Sequence, residues 1–188
     1  GALYRLVGYA EEQAGRGFED ECKINHIASE LHVEFEEDEI RLAGVGVSDL
    51  IRTEQAGNNA SKVAAMPGVR AALLDWQRDY ATPPGLVADG RDMGTTVFPW
   101  AGVKIFLTAS AAERAWRRHK QLKEKGLPAN LAALTAEIEE RDARDRSRAA
   151  SPLLAAPDAI EIDSTALAIG DVVSRVLQEA HRVYATPL

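Results

Sequence analysis

The carboxyl-terminal half of the chain alternates short apolar runs with long amphipathic segments, and this pattern constrains the fold more than any other feature. The apolar runs are VKIFLTAS, residues 103–110, and AIEID, residues 159–163. Apolar residues recur at helical spacing in three other segments, residues 111–126, 130–148 and 168–184. Continuous apolar strands that alternate with long helices predict a parallel sheet with helices on its faces. We therefore predict an α/β fold, in which Ser110 caps the helix that follows the first of these strands.

A third apolar run, GLVADG at residues 85–90, is also predicted to be a strand of this sheet. Open α/β sheets bind their ligands beyond the carboxyl ends of the strands. This rule places Asp89, Arg91 and Asp92 at the rim of a binding crevice.

The first 80 residues have a different pattern. A helical pattern near the amino terminus stops at Gly15 and Gly17, and apolar residues alternate with polar ones over residues 31–42. The alternation predicts a β-hairpin whose turn is acidic. Two helices are predicted next, separated at Pro67-Gly68 and ending before Pro83-Pro84.

These patterns predict a core with an inserted α+β region. We assign residues 1–20 and 81–188 to the core, with a lid at about residues 111–150. Residues 21–80 form the insertion that carries the hairpin.

The charge and the rare residues exclude several classes of protein. A net charge of -7 over 188 residues argues against a general nucleic-acid or membrane-surface binder, because both need many unpaired cations. Cys22 is the single cysteine and the four histidines are scattered, so neither a disulfide nor a zinc site is predicted. No apolar run approaches the ~20 residues of a membrane span. These features suit a reducing, cytoplasmic compartment.

The segment RDARDRSR, residues 141–148, concentrates charge on one predicted helix. Positions i, i+4 and i+7 share a helix face. This places Arg141, Asp145 and Arg148 on one stripe, with Arg144 beside it, and turns Asp142 and Arg146 elsewhere. Guanidinium groups suit phosphates or base oxygens, and a carboxylate suits ribose hydroxyls. An ordinary solvated face with internal ion pairs is the alternative.

Two further groups of charged residues point to a phosphorylated ligand. In the turn after GLVADG, Asp89 suits a magnesium-bound water, Arg91 a phosphate and Asp92 an amino group on a base, although Asp-Gly turns are commonplace. A later helix carries three arginines on one face, Arg114, Arg117 and Arg118. A solubilising face is their alternative role. With no G-x-S-x-G motif or evident nucleophile–base pair, the pattern favours phosphoryl transfer, which depends on positioning and charge stabilisation.

Several segments closely resemble the bacterial cytidylate kinase family of nucleoside monophosphate kinases. The resemblance runs in order along nearly all 188 residues and rests on GALYR, IRTEQAGNNASKVAAMPGVR, GLVADGRDMGTTVFPWAGVKIFLTAS, AERAWRRHKQLKEKG, EIEERDARDRSRAASPL and AIEIDSTAL. It implies a P-loop kinase-type parallel sheet flanked by helices, a monophosphate-binding insertion and a short lid. It also implies transfer of the γ-phosphoryl group of ATP to CMP or dCMP with Mg²⁺, by a monomeric protein.

The resemblance also implies roles for individual residues, taken motif by motif. The residues that read cytosine would be Ser61, Arg70, Asp92 and Arg148. The sugar hydroxyls would be held by Arg141 and Asp145, and the α-phosphate by Arg5 and Arg91. The lid over ATP would carry Arg114, Arg117 and Arg118, and Asp89 would lie near magnesium. Of these, the residues implied to act in catalysis are Arg91, Arg114, Arg118 and Arg141.

One motif of the family is missing from the printed sequence. The phosphates of ATP are cradled by G-x-x-x-x-G-K-[ST], and no Gly-Lys dipeptide occurs in the 188 residues. We expect that the missing segment is encoded upstream of Gly1 and was lost by truncation, cleavage or disorder. Without it the chain should expose apolar surface and be inactive. The alternatives are a kinase for UMP or AMP, a non-catalytic nucleotide-binding module and, against the net charge, a nucleic-acid binder.

Overall fold

A computed structural model describes residues 1–15, 17–36 and 39–184 of the chain. The chain divides into two compact units. The amino-terminal unit comprises Gly1–Arg91 and Ser147–Pro152, and the carboxyl-terminal unit comprises Asp92–Arg146 and Leu153–Leu188. The predicted acidic turn includes Glu37 and Asp38, which lie outside the described residues. The same is true of the last four residues of the predicted core, 185–188.

The amino-terminal unit is mainly helical. It contains α1 (Ala2–Ala14), α2 (Glu21–Ser29), a 3-10 turn (Leu50–Arg52), α3 (Glu54–Val63) and α4 (Pro67–Asp79). Helix α1 ends as predicted, because Gly15 adopts a left-handed conformation with φ 65° and its N–H bonds the carbonyl of Glu12 at 3.0 Å. The predicted break at Pro67-Gly68 is the start of α4, since proline fits the first helical position, where no N–H is needed.

Helix α1 packs against α2 and α3 in this unit. The approach to α3 is close at Gly8, where an added Cβ would lie 2.9 Å from the Cβ of Asn59. Leu6, Val7 and Ile24 are buried in the core of this unit. The division at residues 20 and 80 stays a prediction, but α1, which we assigned to the core, packs with two helices of the predicted insertion.

The predicted β-hairpin is confirmed and has a third strand. Strand β1 (Val33–Phe35) pairs antiparallel with β2 (Ile40–Leu42), with Val33 opposite Leu42. Strand β2 also pairs antiparallel with β3 (Val45–Gly46). The ring of Phe35 meets that of Tyr80, just beyond α4, edge to face at 5.7 Å.

The carboxyl-terminal unit contains the parallel strands. Strand β4 (Ile105–Thr108) pairs parallel with β5 (Ile160–Asp163), and Ile105 lies opposite Ile160. The helices of this unit are α5 (Ala111–Glu124), α6 (Leu131–Ser147) and α7 (Ile169–Tyr184). The hydroxyl of Ser110 accepts the N–H of Glu113 at 3.1 Å, which confirms the predicted cap. The α/β class is therefore confirmed.

The prediction of a strand at residues 85–90 is wrong. This segment has no regular structure and is exposed throughout, and the side chain of Val87 is fully accessible. A strand needs a neighbour for its N–H and C=O groups. Among the described residues β4 and β5 pair only with each other, so this run has no such neighbour. Asp89 consequently follows an irregular segment and not the end of a strand.

Apolar side chains are exposed on the carboxyl-terminal unit. In α7, Ile169, Val173 and Leu177 share one stripe at i, i+4 and i+8, and all three are exposed, as is Leu107 of β4. A stripe of this kind on a helix is usually buried against another element.

None of the helices in the described ranges is long and apolar enough to cross a bilayer.

An ion pair joins residues that lie just before the two parallel strands. The ammonium group of Lys104, whose side chain is 9% exposed, donates to both carboxylate oxygens of Asp158, at 2.7 and 2.9 Å, and to the carbonyl of Pro99 at 2.6 Å. The hydrogen bond from Lys104 lowers the pKa of Asp158 from its ordinary value of 3.8. Because the folded-state pKa lies below the unfolded one, the pair stabilises the protein above about pH 4. That stability is lost as the pH falls through the lowered pKa.

We expect Asp158→Asn to lower the melting temperature at pH 7 and to have progressively less effect below pH 4, where the wild-type carboxylate also becomes neutral. Thermal unfolding followed by circular dichroism between pH 7 and pH 2.5 measures this. Asp75→Asn, at an exposed position of α4, is the matched control. An effect of Asp158→Asn that is equally large at pH 7 and pH 2.5 would contradict the assignment.

Candidate functional site

Arg5 of α1 is held against the start of α3. Its Nη1 donates to the carbonyl of Ile51 at 2.6 Å and to that of Thr53 at 3.1 Å. Thr53 is also the N-cap of α3, since its hydroxyl accepts the N–H of Ala56 at 3.1 Å. The guanidinium group of Arg5 is therefore positioned by main-chain atoms, and its location depends on the fold of this turn.

Arg70 of α4 is buried, with only 8% of its surface exposed. Its Nη1 lies 3.3 Å from the carbonyl oxygen of Ala64, and its guanidinium carbon lies 5.6 Å from the centre of the ring of Tyr4. Tyr4 precedes Arg5 on α1, and Ser61 is buried on α3. Three helices of the amino-terminal unit thus supply the predicted binding residues Arg5, Ser61 and Arg70.

The three candidate residues of the turn at residues 89–92 differ in solvent exposure. Asp89 and Arg91 are exposed, whereas Asp92 is buried. Asp92 starts a π-helical turn (Met93–Val97), and its carbonyl accepts the N–H groups of Thr96 and Val97 at 2.9 and 3.2 Å. This turn fixes the main chain of Asp92, which belongs to the carboxyl-terminal unit, while Asp89 and Arg91 belong to the amino-terminal unit.

Asp89 is the carboxylate that we predicted to lie near magnesium, and it is exposed. No group of three His, Cys, Asp or Glu side chains placed to hold a metal occurs in the described ranges. Mg²⁺ usually keeps several waters and binds through one or two carboxylates together with substrate phosphates. A single exposed carboxylate such as that of Asp89 would fit this mode.

Asp145 of α6 is buried, and so is Asp142, which we predicted to point away from the stripe of Asp145. The buried residues of this helix are Leu134, Ile138, Asp142 and Asp145, at i, i+4, i+8 and i+11. Both aspartates therefore lie on the face that buries its apolar residues, because positions i and i+3 are neighbours on a helix. Arg146 is 64% exposed, as predicted.

Arg148 does not extend the α6 stripe, because α6 ends at Ser147. It lies within Ser147–Pro152, the segment that belongs to the amino-terminal unit. Its side chain is nonetheless buried, and its Nε donates to the carbonyl of Ser151 at 2.6 Å. Arg141, by contrast, is half-buried on α6 in the carboxyl-terminal unit.

Asp142 binds Arg114 and thereby joins α5 to α6. Nη1 of Arg114 donates to Oδ1 of Asp142 at 3.0 Å, and its Nη2 contacts Oδ2 in the bidentate arrangement typical of arginine and carboxylate. The Nε of Arg114 donates to the carbonyl of Ala109 at 3.1 Å. Arg114, predicted to act on ATP, is thus held between two helices.

Arg117 is bound through all three of its nitrogens. Nε donates to Oε1 of Glu113 at 2.8 Å, Nη2 to the carbonyl of Ser164 at 2.6 Å, and Nη1 contacts the hydroxyl of Ser164 at 3.2 Å. The hydroxyl of Ser164 in turn donates to the carbonyl of Thr108 at 2.9 Å, at the end of β4. The contacts of Arg117 tie α5 to the ends of both strands. Arg118, the third predicted lid arginine, is half-buried on the same helix.

Two residues beside the predicted ones were missed by sequence reasoning, namely Tyr4 and Asp142. A signal for Asp142 was present in the sequence, because it continues the apolar spacing of Leu134 and Ile138. The ring of Tyr4 gave no comparable signal, since a tyrosine on an apolar helix face is ordinary in a core.

Comparisons with known proteins show the family to which the chain is similar. The sequence profile described as cytidylate kinase matches residues 1–182. A cytidylate kinase of Azotobacter vinelandii is 52% identical over 185 residues, which are 95% of this chain and 81% of the relative. That of Methylococcus capsulatus is 53% identical over 176 residues, 92% and 79% of the two chains. That of Mannheimia succiniciproducens is 48% identical over 186 residues, 97% and 83% of the two chains.

Proposed function

Because this chain belongs to the cytidylate kinase family of nucleoside monophosphate kinases, we propose that it binds CMP or dCMP as phosphoryl acceptor, with ATP as donor and Mg²⁺ as the accompanying ion. The match over residues 1–182, at about half identity to several cytidylate kinases, carries this proposal. We also propose that the protein acts as a monomer, as the resemblance implies, and that it is cytoplasmic, since its single cysteine suits a reducing compartment.

The proposed acceptor residues keep the roles that the resemblance implies. Cytosine is read by Ser61, Arg70, Asp92 and Arg148, the sugar hydroxyls bind Arg141 and Asp145, and the α-phosphate binds Arg5 and Arg91. Five of these eight residues are buried, namely Ser61, Arg70, Asp92, Asp145 and Arg148. Burying polar and charged side chains is costly, so proteins bury them together with partners that hold them in place. Burial therefore keeps these five side chains in defined positions, and this supports the binding roles that we propose for them.

Phosphoryl transfer depends on positioned positive charge more than on a general base. We propose that Arg91 and Arg141 supply this charge near the transferring group. We also propose that Arg118 is a lid residue that binds ATP. Arg114 would do the same after its guanidinium group leaves Asp142 and binds a phosphate instead. Arg117 is bound to Glu113 and to the carbonyl of Ser164. These contacts favour a role in holding α5 against the end of β5 over direct contact with ATP. When bound, Mg²⁺ would neutralise charge on the phosphates near Asp89.

We propose further that the printed residues alone do not turn over ATP. They lack the G-x-x-x-x-G-K-[ST] motif that wraps the phosphates with main-chain N–H groups and a lysine. Leu107, Ile169, Val173 and Leu177 are exposed, and an apolar stripe of the kind that the last three form on α7 is usually buried against another element. A non-catalytic nucleotide-binding module is the second candidate.

Calorimetric titration tests the choice of acceptor. We expect CMP and dCMP to bind at least about tenfold more tightly than UMP or AMP. A site built to hydrogen-bond one base leaves its buried polar groups unpaired when another base enters. Equal affinity for CMP, UMP and AMP would refute the cytosine-reading assignment, and a preference for UMP or AMP would identify the acceptor as that nucleotide.

A further inference from the structure

Two buried side chains from different helices face each other in the amino-terminal unit. Arg70 comes from α4 and Tyr4 from α1, and each is less than one-tenth exposed. The guanidinium carbon of Arg70 lies 5.6 Å from the centre of the Tyr4 ring. This distance is within the ~6 Å over which a cation is attracted to the negative face of an aromatic ring.

The surroundings make this contact stronger than a surface pair. A buried guanidinium group has lost most of its water, so an aromatic face offsets more of the cost of burial than it would at an exposed site. The carbonyl of Ala64, 3.3 Å from Nη1, also contacts the guanidinium group. A ring against the face of the group and a carbonyl at its edge restrict its orientation in different directions.

We propose that Tyr4 is a positioning residue for base recognition, whose ring holds Arg70 in the orientation that binds the nucleobase. The inference rests on the proposed function, which assigns Arg70 to the base. Arginine is a donor-only side chain. Cytosine offers acceptors at O2 and N3, whereas N3 of uracil carries a hydrogen. A guanidinium group held in one orientation therefore discriminates between cytosine and uracil better than a mobile group does. Tyr4 consequently contributes to the specificity for cytosine as well as to the affinity for CMP.

Binding of CMP and UMP to matched variants of the full 188-residue chain tests the proposal. Tyr4→Phe keeps the ring and removes the hydroxyl, and we expect CMP affinity within about twofold of wild type. Tyr4→Met keeps apolar bulk without the ring, and we expect CMP affinity to fall about tenfold, as the loss of a desolvated cation–π contact implies. UMP affinity should fall less, so the ratio between the two nucleotides should narrow.

A double-mutant cycle separates positioning from general packing. Arg70→Met removes the guanidinium and should weaken CMP binding by itself. If Tyr4 acts through Arg70, then Tyr4→Met should add nothing in the Arg70→Met background. Additive losses would show that Tyr4 only supports the fold, and would overturn the proposal. Equal losses in Tyr4→Phe and Tyr4→Met would overturn it as well, because they would assign the effect to the hydroxyl.

Two further measurements cover the case in which Tyr4→Met unfolds. Pentafluorination of the ring in Tyr4→Phe reverses the charge distribution of its face with little change of volume, and should reproduce the loss of CMP affinity. The NMR signals of the Arg70 side chain should show a ring-current shift in wild type and in Tyr4→Phe. Absence of that shift, or wild-type affinity with the fluorinated ring, would overturn the proposal.

Different results would refute the role of Arg70 in base binding and the positioning role of Tyr4. If Arg70→Met leaves CMP affinity unchanged, the assignment of Arg70 to the base is wrong and the present inference falls with it. If Arg70→Met weakens CMP binding but Tyr4→Met leaves both affinity and the CMP to UMP ratio unchanged, only the positioning role of Tyr4 is refuted.

Discussion

Replacing Asp145 with alanine is expected to weaken CMP binding by about 100-fold, whereas Arg146→Ala should change it by less than twofold. Asp145 is 3% exposed, and in the proposed site its carboxylate accepts the sugar hydroxyls. Hydrogen bonds to a charged group contribute about 1.5–3 kcal/mol each, so losing a pair of partly compensated bonds gives a loss of this size. Arg146 is 64% exposed, and its Nη2 lies 3.8 Å from Oδ2 of Asp142, so the arginine is largely solvated and makes only a long contact.

Isothermal titration with CMP measures both variants, and thermal unfolding checks that each is folded. The main-chain carbonyl of Asp145 accepts the N–H of Leu153 at 2.8 Å, and a side-chain substitution leaves this contact in place. Asp145→Asn keeps the shape of the side chain and should lose about tenfold in affinity, which provides a second variant should the alanine protein be unstable. Equal effects at positions 145 and 146 would refute the assignment of these two residues to opposite roles.

The 188 residues are expected to bind CMP but to form no measurable CDP from ATP and Mg²⁺. Phosphoryl transfer is catalysed mainly by donors that hold the phosphates, and removing one such donor can cost about 10²–10³ in rate. The P-loop supplies several of these donors together. Adding a strand, a G-x-x-x-x-G-K-[ST] loop and a helix ahead of Gly1 should raise CDP formation by at least about 10³-fold.

Coupled assay of ADP production on both proteins, with CMP binding measured in parallel, decides between the proposed kinase and the non-catalytic module. Turnover by the 188 residues alone would show that the phosphates of ATP are held without a P-loop. An extended chain that binds CMP and still produces no ADP would favour the module. Mutating the loop lysine of the extended chain is the matched control, since any gain that survives it does not come from the P-loop.

Local pattern predicted most of the secondary structure, because it depends on residues close together in the chain. The helix that stops at Gly15, the cap at Ser110 and the hairpin over residues 31–42 were all read from spacing and turn chemistry, and all are present. The strand at residues 85–90 was not correctly predicted. An apolar run becomes a strand only when a neighbour accepts its hydrogen bonds, and the run itself carries no information about that neighbour.

In the candidate site, too, local features could be predicted from the sequence and contacts between distant residues could not. The short charged segments at residues 89–92 and 141–148 were recognisable in the sequence, and so was their suitability for phosphate, sugar and base. The pairs that hold these side chains were not: Arg114 and Asp142 are 28 residues apart, and Tyr4 and Arg70 lie on separate helices. Such contacts depend on how helices pack, and many sequences with the same local pattern would pack differently.

By itself, the sequence determined the α/β class through the spacing of its apolar residues, and the family through the resemblance of its motifs. It also determined the chemical types of the residues available for a nucleotide. Only the tertiary structure decided which charged residues are buried and which partners hold them. Asp142 binds Arg114, Arg117 binds Glu113 and Ser164, and the guanidinium group of Arg70 lies over the ring of Tyr4. The physical reason is that burial and ion pairing arise where distant segments meet, and the cost of burying a charge is offset only by partners that folding brings close.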